Sequence, residues 1–264
     1  MGETDVAATL RSPAEIIKLR DSGRLLARVL DQVTGAVRPG VSTLELDELA
    51  FEIITAAGAQ PSFLGYAPEP GITPFPGSIC ASVNRVVVHG IPGPEKLAAG
   101  DLITIDCGVL LEGWHTDSAV TIAVGPVDER LAGLLLATET ALADAIPALQ
   151  PGNHLGDVGA IVQESVARAG FAVIPELGGH GIGRAIWEEP QVRNYGRRGE
   201  GVELVAGMVL AIEPIVSAGG TQLRLDPDRW TVRTADDSVT AHFEHTVAII
   251  EDGPLVLTAT GCLF

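Results

Sequence analysis

A repeat within the chain limits the folds that its 264 residues can adopt. The Pro-Gly pair at Pro39 is followed nineteen residues later by Gly58, and the pair at Pro151 is followed at the same distance by Gly170. In both copies the intervening segment has apolar residues at helical spacing and ends in Ala-Gly. Two copies indicate a duplicated unit and not a solenoid, which needs at least about three repeats.

The predicted strands repeat in the same order as the helices. Residues 99–106 and residues 206–213 each read as a turn, an apolar strand and then a carboxylate. Each copy contains a histidine and two acids in matching order: His89, Asp106 and Asp117 in the first, and His180, Glu213 and Glu244 in the second. Short apolar strands can resemble one another by chance. Six titratable residues in matched order favour duplication over that alternative.

Two capping boxes mark where predicted helices begin. Ser12 with Glu15, and Ser42 with Glu45, place a hydroxyl and a carboxylate where they can satisfy free backbone N–H groups of the first turn. Pro-Gly pairs and single glycines mark the helix ends. The pattern predicts four helices, at about 13–38, 42–58, 128–149 and 155–170.

The chain is strongly acidic, with 34 Asp and Glu residues against 17 Lys and Arg residues and a formal charge of −17. This charge disfavours a nucleic-acid binder, because phosphate contacts need clustered Lys and Arg. It also disfavours electrostatic docking on an anionic membrane. Apolar residues make up 46% of the chain, which is typical of a globular protein.

The sequence predicts a cytoplasmic protein. Its first residues include acids and lack the apolar segment of a secretory signal. No uncharged apolar run reaches the about 18 residues that a membrane-spanning helix needs. The three cysteines, Cys80, Cys107 and Cys262, form no CxxC pair, and such a sparse, odd set fits a reducing compartment.

Four acids beside apolar strands are the candidates for chemistry. A carboxylate at the end of a buried strand is costly unless a cation compensates it. Asp106 and Glu213 each follow an apolar strand, and Asp117 and Glu244 each precede one. With a histidine, they form a ligand set for two adjacent divalent metal ions. The alternative for any single acid is a solvated strand end, but four acids together favour the metal site.

Several long segments resemble the signature segments of type I methionine aminopeptidases. They read NRVVVHGIP at 84–92, GHGIG at 179–183, EEPQV at 188–192, GMVLAIEP at 207–214 and FEHT at 243–246. The similarity extends from about residue 12 to residue 250. It implies the pita-bread fold of that family, an α+β fold with two pseudo-symmetric α/β halves and a central, curved, mainly antiparallel sheet. The repeat in the chain agrees with two such halves.

The resemblance also implies how the chain is divided. We expect an N-terminal tail at 1–11 and a single catalytic domain at 12–264. Within that domain, the first half would occupy about 12–127 and the second half about 128–255.

The resemblance further implies a dinuclear metal site. Matched position by position, the family's five metal ligands fall on Asp106, Asp117, His180, Glu213 and Glu244. Two divalent ions, of Co, Mn, Fe or Zn, would bind there, and a bridging hydroxide would attack the scissile carbonyl group. Glu213 would act as the general base, and His89 would contact the scissile amide nitrogen. The alternative for His89 is a packed, hydrogen-bonded histidine at a strand end.

The implied activity is removal of the N-terminal methionine from peptides or nascent proteins with a small second residue. The residues matched to the substrate site are Phe63, Tyr66, Phe75, Cys80, Ile186, Trp187 and Trp230. An aromatic-lined cavity suits an unbranched thioether, although single apolar residues usually belong to an ordinary core. We expect a monomer with at most a weak contact to the ribosome, and neither DNA nor a membrane as a partner.

The sequence departs from the family pattern in two places. Trp187 stands where the family has a histidine that contacts the substrate near the scissile bond, and an indole cannot shuttle a proton. Either the enzyme is ordinary but slower, or the indole changes the choice of substrate. The segment 67–75 is longer than the family's loop and is rich in proline. It forms either a lid or rim beside the pocket or a surface insertion without a role.

Two other functions stay open at the level of sequence. A specialised X-Pro-type peptidase or amide hydrolase of the same fold would explain Trp187. A non-catalytic, metal-binding relative is the second, although retention of all five ligands speaks against it.

The remaining titratable residues are expected to lie outside the metal site. His245 and Cys107 should point away from it, because successive residues of a strand alternate in direction. No role is assigned to His115, and His154 and His242 are predicted to lie at the surface.

Overall fold

The helices of the computed structural model, which describes residues 8–259, lie where the sequence predicts them. Within that range they are α1 (Pro13–Ala36), α2 (Thr43–Ala56), α3 (Glu129–Ala145) and α4 (Leu155–Arg168). A short 3-10 turn, Ile146–Ala148, extends α3. Both capping boxes form: the N–H of Glu15 donates to the Ser12 hydroxyl, and the N–H of Ser12 donates to the Glu15 carboxylate at 2.9 Å. The same pair of bonds starts α2.

The strand pairs among the described residues are all antiparallel, as expected. The strands are β1 (Gln60–Pro61), β2 (Ile79–Val83), β3 (Val86–Val88), β4 (Leu102–Leu111), β5 (Trp114–Ala123), β6 (Ala172–Val173), β7 (Gly178–Gly181), β8 (Glu188–Arg193), β9 (Val209–Ile212), β10 (Ile215–Ser217), β11 (Leu223–Leu225), β12 (Val232–Thr234), β13 (Thr240–His242), β14 (His245–Ile250) and β15 (Gly253–Val256). In the first of the two larger sheets, β4 pairs with β1 and β2 along one edge and with β5 along the other. The strands of the second sheet lie in the order β15-β14-β9-β7-β8.

Each large sheet is covered by its own pair of helices, which gives the two halves that the repeat predicts. Residues of α1 and α2, such as Leu26 and Ile54, share one buried apolar cluster with Ile105 of β4. Residues of α3 and α4 share a second cluster with β9 and β14, in which Leu142 and Leu210 are buried. This arrangement is the expected pita-bread architecture.

Backbone and side-chain hydrogen bonds join the two halves between β5 and the start of β14. The N–H of Glu244 donates to the carbonyl oxygen of Ala119 at 2.9 Å. The Thr246 hydroxyl accepts the N–H of Asp117 at 2.9 Å and donates to the Asp117 carbonyl oxygen at 2.7 Å. Because these bonds align the two strands, carboxylates of the two halves meet at one place.

Two predicted strand boundaries are wrong. Asp117 was expected before its strand, but it lies inside β5, which begins at Trp114. Asp106 was expected at the inner end of its strand, but it lies in the middle of β4, which continues to Leu111. The apolar run Val109–Leu111 keeps pairing with β5 until the turn at Gly113. Asp106 therefore projects from a two-sided ladder, and its position is fixed more firmly than a strand end would be.

Arg11, the last residue of the expected N-terminal tail at 1–11, is part of the packed structure. Residues 1–7 lie outside the described range, but Arg11 is buried and its N–H donates to the carbonyl oxygen of Gly207 at 2.7 Å. Near the other terminus, the backbone of Leu257 passes close to Gly23 of α1. A Cβ atom on Gly23 would lie 2.3 Å from the carbonyl oxygen of Leu257. Glycine is therefore required at that crossing.

One described helical stretch, Glu129–Ala148, is long and apolar enough by composition to cross a membrane, with a mean hydropathy of 1.3. This is weak evidence, because the core helix of a globular domain passes the same test. Leu134, Ala141 and Leu142 of this stretch pack into the apolar cluster of the second half.

Candidate metal centre

Four carboxylates converge where the two halves meet. Asp106 pairs with Ala119 across β4 and β5, and Asp117 lies two residues before Ala119, so both side chains project from the same face. Glu213 directly follows β9, and Glu244 directly precedes β14. Since the last residue of β9 pairs with the first of β14, the two glutamates lie side by side. All four line one cavity of about 40 Å³.

Two histidines face these carboxylates. The Nε2 atom of His180 lies 3.7 Å from Oε1 of Glu213. The Nε2 atom of His242 lies 3.5 Å from Oε2 of Glu213 and 3.8 Å from Oε2 of Glu244. Ligand atoms of Asp117, His180 and Glu244 all lie within 4.8 Å of one another, which is a metal-binding arrangement.

The carboxylates are strongly destabilised as anions when no cation is present. Burial raises the pKa of Asp117 to about 7. Burial, and then the neighbouring carboxylates, raises the pKa values of Asp106, Glu213 and Glu244 well above their ordinary range. Buried like charges at this density are typical of functional sites.

Unpartnered oxygens show that the site fits a divalent cation. Asp106 Oδ1, Asp117 Oδ1 and Glu244 Oε1 are buried, and none of them has a hydrogen-bond partner in the described part of the chain. A buried acceptor without a partner costs free energy, and a cation bound among these oxygens would remove that cost. Carboxylate oxygens with imidazole nitrogen suit Mn, Fe, Co or Zn.

His180 is held in the state that a metal ligand requires. Its Nδ1 atom lies 2.8 Å from the carbonyl oxygen of Gly181, to which it can donate. Burial lowers the pKa of His180 to about 4, so the ring is neutral at neutral pH. With the proton on Nδ1, the lone pair of Nε2 faces the carboxylates.

His89 lies in the same cavity, beyond the end of β3. It lines the cavity, and its ring centroid is 6.1 Å from that of Trp230 in an edge-to-face contact. Burial lowers its pKa to about 4. His89 adopts a positive φ of 56°, a conformation that is uncommon for a side-chain-bearing residue.

Six of the seven residues expected to bind substrate line the cavity: Phe63, Tyr66, Phe75, Cys80, Trp187 and Trp230. Four pairs of the aromatic rings meet edge to face, and the Phe75 and Trp230 centroids are 5.3 Å apart. Ile186 lies in the apolar cluster behind these rings but is not among the lining residues.

Trp187 closes the cavity from outside. Its indole stacks on Phe63, with centroids 6.3 Å apart, and meets Tyr66 edge to face at 4.3 Å. It also lies 6.0 Å from the ring of His180. The residue is 36% exposed and also lines the cavity, so it lies between the cavity and the surface.

The proline-rich segment 67–75 is anchored to the cavity. At its base, the N–H of Phe75 donates to the carbonyl oxygen of Tyr66 at 2.8 Å. The indole N–H of Trp230 donates to the carbonyl oxygen of Thr73 at 2.8 Å. These bonds connect the segment to three lining residues, which favours the rim over a surface insertion without a role.

The prediction that His242 lies at the surface is wrong, because it is 2% exposed and lines the cavity. It lies two residues before Glu244, and alternation along an extended chain places such residues on the same side. That parity was the signal in the sequence that could have found it.

Four other titratable residues, among them His115, to which the sequence assigned no role, lie outside the cavity. The ring of His245 contacts the Thr258 hydroxyl through Nδ1 at 2.9 Å and does not line the cavity. Cys107 is buried in the apolar cluster of the first half. His115 contacts the Ser62 hydroxyl through Nδ1 at 2.9 Å. His154 is partly exposed at the start of α4.

A partly buried ion pair supports the turn that carries Trp187. The Glu188 carboxylate accepts the N–H groups of Arg184 and Ala185 at 2.7 and 3.0 Å and forms an ion pair with Arg11. The guanidinium groups of Arg11 and Arg184 also lie over the Trp114 ring. Arg11 therefore connects the start of the described chain to the wall of the cavity.

We expect Arg11→Ala to lower the free energy of unfolding by up to about 3 kcal/mol, because it leaves the partly buried Glu188 carboxylate without its cation. Urea unfolding measures this change. The matched control is Lys96→Ala, which removes the exposed Lys96–Glu45 pair and should cost at most about 1 kcal/mol. Equal losses of unfolding free energy in the two variants would show that the Arg11–Glu188 pair stabilises the protein no more than an exposed ion pair does.

The fold and the carboxylate–histidine cluster define a metallopeptidase. The chain belongs to metallopeptidase family M24, whose sequence model matches residues 17–251.

Relatives within the family narrow the assignment to the methionine aminopeptidases. The chain is 44% identical to a methionine aminopeptidase of Clostridium perfringens, over 94% of this chain and 98% of the relative. It is also 44% identical to methionine aminopeptidase 1 of Mycobacterium tuberculosis, over 94% of each.

Solved structures agree. The crystal structure of a methionine aminopeptidase from Thermotoga maritima matches with a TM-score of 0.92 and 40% identity, covering 96% of this chain and all of that one. A prolidase from Pyrococcus furiosus matches with a TM-score of 0.76 at 21% identity, covering 95% of this chain and 65% of the prolidase, and shows the common fold alone.

Proposed function

We propose that the chain hydrolyses the N-terminal methionine from peptides and nascent proteins, with a preference for small second residues. One observation carries this proposal. Buried carboxylate oxygens without hydrogen-bond partners line the same cavity as a group of aromatic rings. The carboxylates supply a metal-dependent hydrolytic centre, and the pocket supplies a place for an apolar side chain.

In this proposal, two divalent ions, of Co, Mn, Fe or Zn, are held by Asp106, Asp117, His180, Glu213 and Glu244. Asp106 and Glu244 would be shared by the two ions, Asp117 would complete the ligands of one ion, and His180 and Glu213 would complete those of the other. When bound, the ions polarise the scissile carbonyl group and activate water as a nucleophile.

The chain's own residues would then position the peptide and move protons. Glu213, whose carboxylate lies between the imidazoles of His180 and His242, is the proposed general base. His89 remains neutral, faces the cavity and is the proposed partner of the scissile amide nitrogen. The edge-to-face contact with Trp230 holds the His89 ring beside the methionine pocket.

The side chains that line the methionine pocket differ in how far they can move when substrate enters. Phe63, Phe75 and Cys80 are fixed in the core, whereas Trp187 is partly exposed. We therefore propose that Trp187 moves outward, and that Tyr66, which packs on its edge, moves with it.

The position of Trp187 favours altered substrate choice over a merely slower enzyme. Because the indole narrows the mouth of the cavity, Trp187→Ala should raise kcat/KM for a bulky second residue relative to alanine by about tenfold, the size of a small steric effect in a pocket. Competition between Met-Leu and Met-Ala peptides measures this ratio. Trp187→Phe, which keeps the stacking on Phe63, is the matched control. An unchanged ratio in Trp187→Ala would leave the slower-enzyme interpretation.

The proposed activity is tested with metal-reconstituted protein and a peptide library that varies the first residue. We expect a clear preference for methionine and loss of turnover with a chelator. A preference for X-Pro peptides would support the specialised peptidase, and metal binding without turnover on any peptide would support the non-catalytic alternative.

We further propose that the enzyme works in the cytoplasm as a monomer. Its formal charge of −17 disfavours unaided docking on ribosomal RNA, so any ribosome contact should be weak. Co-sedimentation with ribosomes at increasing salt tests this expectation.

A further inference from the structure

His242 is a buried imidazole without a hydrogen bond. Its side chain is 3% exposed, and neither Nδ1 nor Nε2 has a hydrogen-bond partner among the described residues. A buried polar group in this state costs free energy unless something absent from the polypeptide satisfies it. The orphaned oxygens of Asp106, Asp117 and Glu244 share its cavity.

The backbone fixes where the His242 ring points. The N–H of His242 donates to the Thr121 hydroxyl at 2.7 Å, and that hydroxyl donates to the His242 carbonyl oxygen at 2.8 Å. On its other edge, His242 pairs with Ile215 across β10 and β13. Because the backbone of His242 is paired on both edges, the fold fixes the direction of the ring towards the carboxylate cluster.

The ring lies at the spacing expected for a metal ligand. Two ligand atoms on one ion, each bound at about 2.0–2.2 Å, lie roughly 3–3.5 Å apart. The Nε2 atom of His242 is 3.5 Å from Oε2 of Glu213, and that of His180 is 3.7 Å from Oε1. The two imidazoles therefore flank the two oxygens of Glu213 at nearly equal distances.

We propose that His242 is a sixth protein ligand of the metal centre, which binds through Nε2 to the ion that Glu213 holds. The proposal rests on the metal site of the proposed function and adds a second nitrogen donor to it. A second imidazole shifts the site's preference towards Zn, Co and Fe and away from ions that favour oxygen alone. It also explains why a histidine is tolerated in the middle of the site.

X-ray absorption of the fully Co(II)-loaded protein tests the assignment by counting imidazoles. We expect scattering from two imidazoles for each dinuclear centre in the unmodified protein. His180→Gln should keep one, and the His180→Gln/His242→Gln double variant should keep none. Scattering from a single imidazole in the unmodified protein would overturn the proposal even if the variants do not fold.

Titration with Co(II) gives a second measure. His242→Gln should weaken binding of one ion by at least about tenfold, the lower end of what is lost when a group that only orients a ligand is removed. The matched control is His115→Gln, a partly buried histidine outside the cavity, which should leave both affinities unchanged. Glutamine keeps a hydrogen-bond donor, so an unchanged affinity in His242→Gln would show that the ring only donates to Glu213 and would overturn the proposal.

These outcomes distinguish a failure of the His242 proposal from a failure of the proposed function. If the unmodified protein binds Co(II) and cleaves Met peptides while His242→Gln behaves like the control, His242 is not a ligand and the proposed function stands. If the unmodified protein binds no Co(II), both proposals fail.

Discussion

Glu213→Gln should lower kcat for a Met-Ala peptide by about 10²–10⁴-fold, the usual contribution of a positioned general base. Glu213 lies at the end of β9 with its carboxylate between two imidazoles, His180 and His242. Its backbone carbonyl oxygen accepts the Asn194 side-chain amide at 2.8 Å, so the residue is held in place. Glutamine retains the shape of the side chain but cannot accept a proton from water.

The loss must be separated from simple loss of metal, since Glu213 is also a proposed ligand. Activity should therefore be measured at saturating Co(II) or Mn(II), with metal content determined on the same sample. Glu139→Gln removes an exposed carboxylate on α3 and should leave kcat unchanged. Full activity of metal-saturated Glu213→Gln would exclude the base role, whereas recovery of activity with added metal would indicate that Glu213 acts as a ligand alone.

The main features of the fold could be predicted from the sequence because they depend on local or periodic patterns. Serine–glutamate capping boxes set the start of α1 and α2, and Pro-Gly pairs set where helices end. The repeat of a histidine and two acids placed equivalent side chains in both halves. Since backbone hydrogen bonds join Ala119 of β5 to Glu244, the residue before β14, the acids of the two halves become neighbours.

Contacts between distant segments could not be predicted in this way. Arg11 binds Glu188 across 177 residues of chain, and neither residue carries a local signal of that pairing. The stacking of Trp187 on Phe63 likewise depends on how two loops fold over the cavity. His242 differs, because its two-residue separation from Glu244 was a usable signal, and assigning it to the surface overlooked strand alternation.

The metal-free protein should lose stability as the pH rises from about 6.5 to 8, which is opposite to the usual behaviour of paired carboxylates. Burial raises the pKa of Asp117 to about 7 from an ordinary value of 3.8. The pKa values of Asp106, Glu213 and Glu244 are raised well above their ordinary range. In this window the unfolded chain has lost these protons and the folded chain still holds some, so each rise in pH favours unfolding.

Buried histidines set the lower limit of that window. Burial lowers the pKa values of His89 and His180 to about 4, and that of His242 to about 3. Below pH 6.5, the unfolded chain protonates these rings while the folded chain does not, which makes stability rise with pH and opposes the carboxylates. Above pH 6.5 the unfolded rings lose their remaining protons, so the opposing histidine contribution fades and is almost gone by about pH 7.5, where only the carboxylates contribute.

Urea unfolding in a chelator, at several pH values between 6.5 and 8, measures the effect. The free energy of unfolding should fall by up to about 1.4 kcal/mol per pH unit for each carboxyl group that stays protonated in the folded protein. Asp117→Asn, which removes one such group, should make the slope shallower. Saturating Mn(II) should abolish or reverse it, because a bound cation replaces the protons and stabilises the folded state. A metal-free protein that becomes more stable across this window would show that the carboxylates are ionised without metal, and the cluster would then need another source of positive charge.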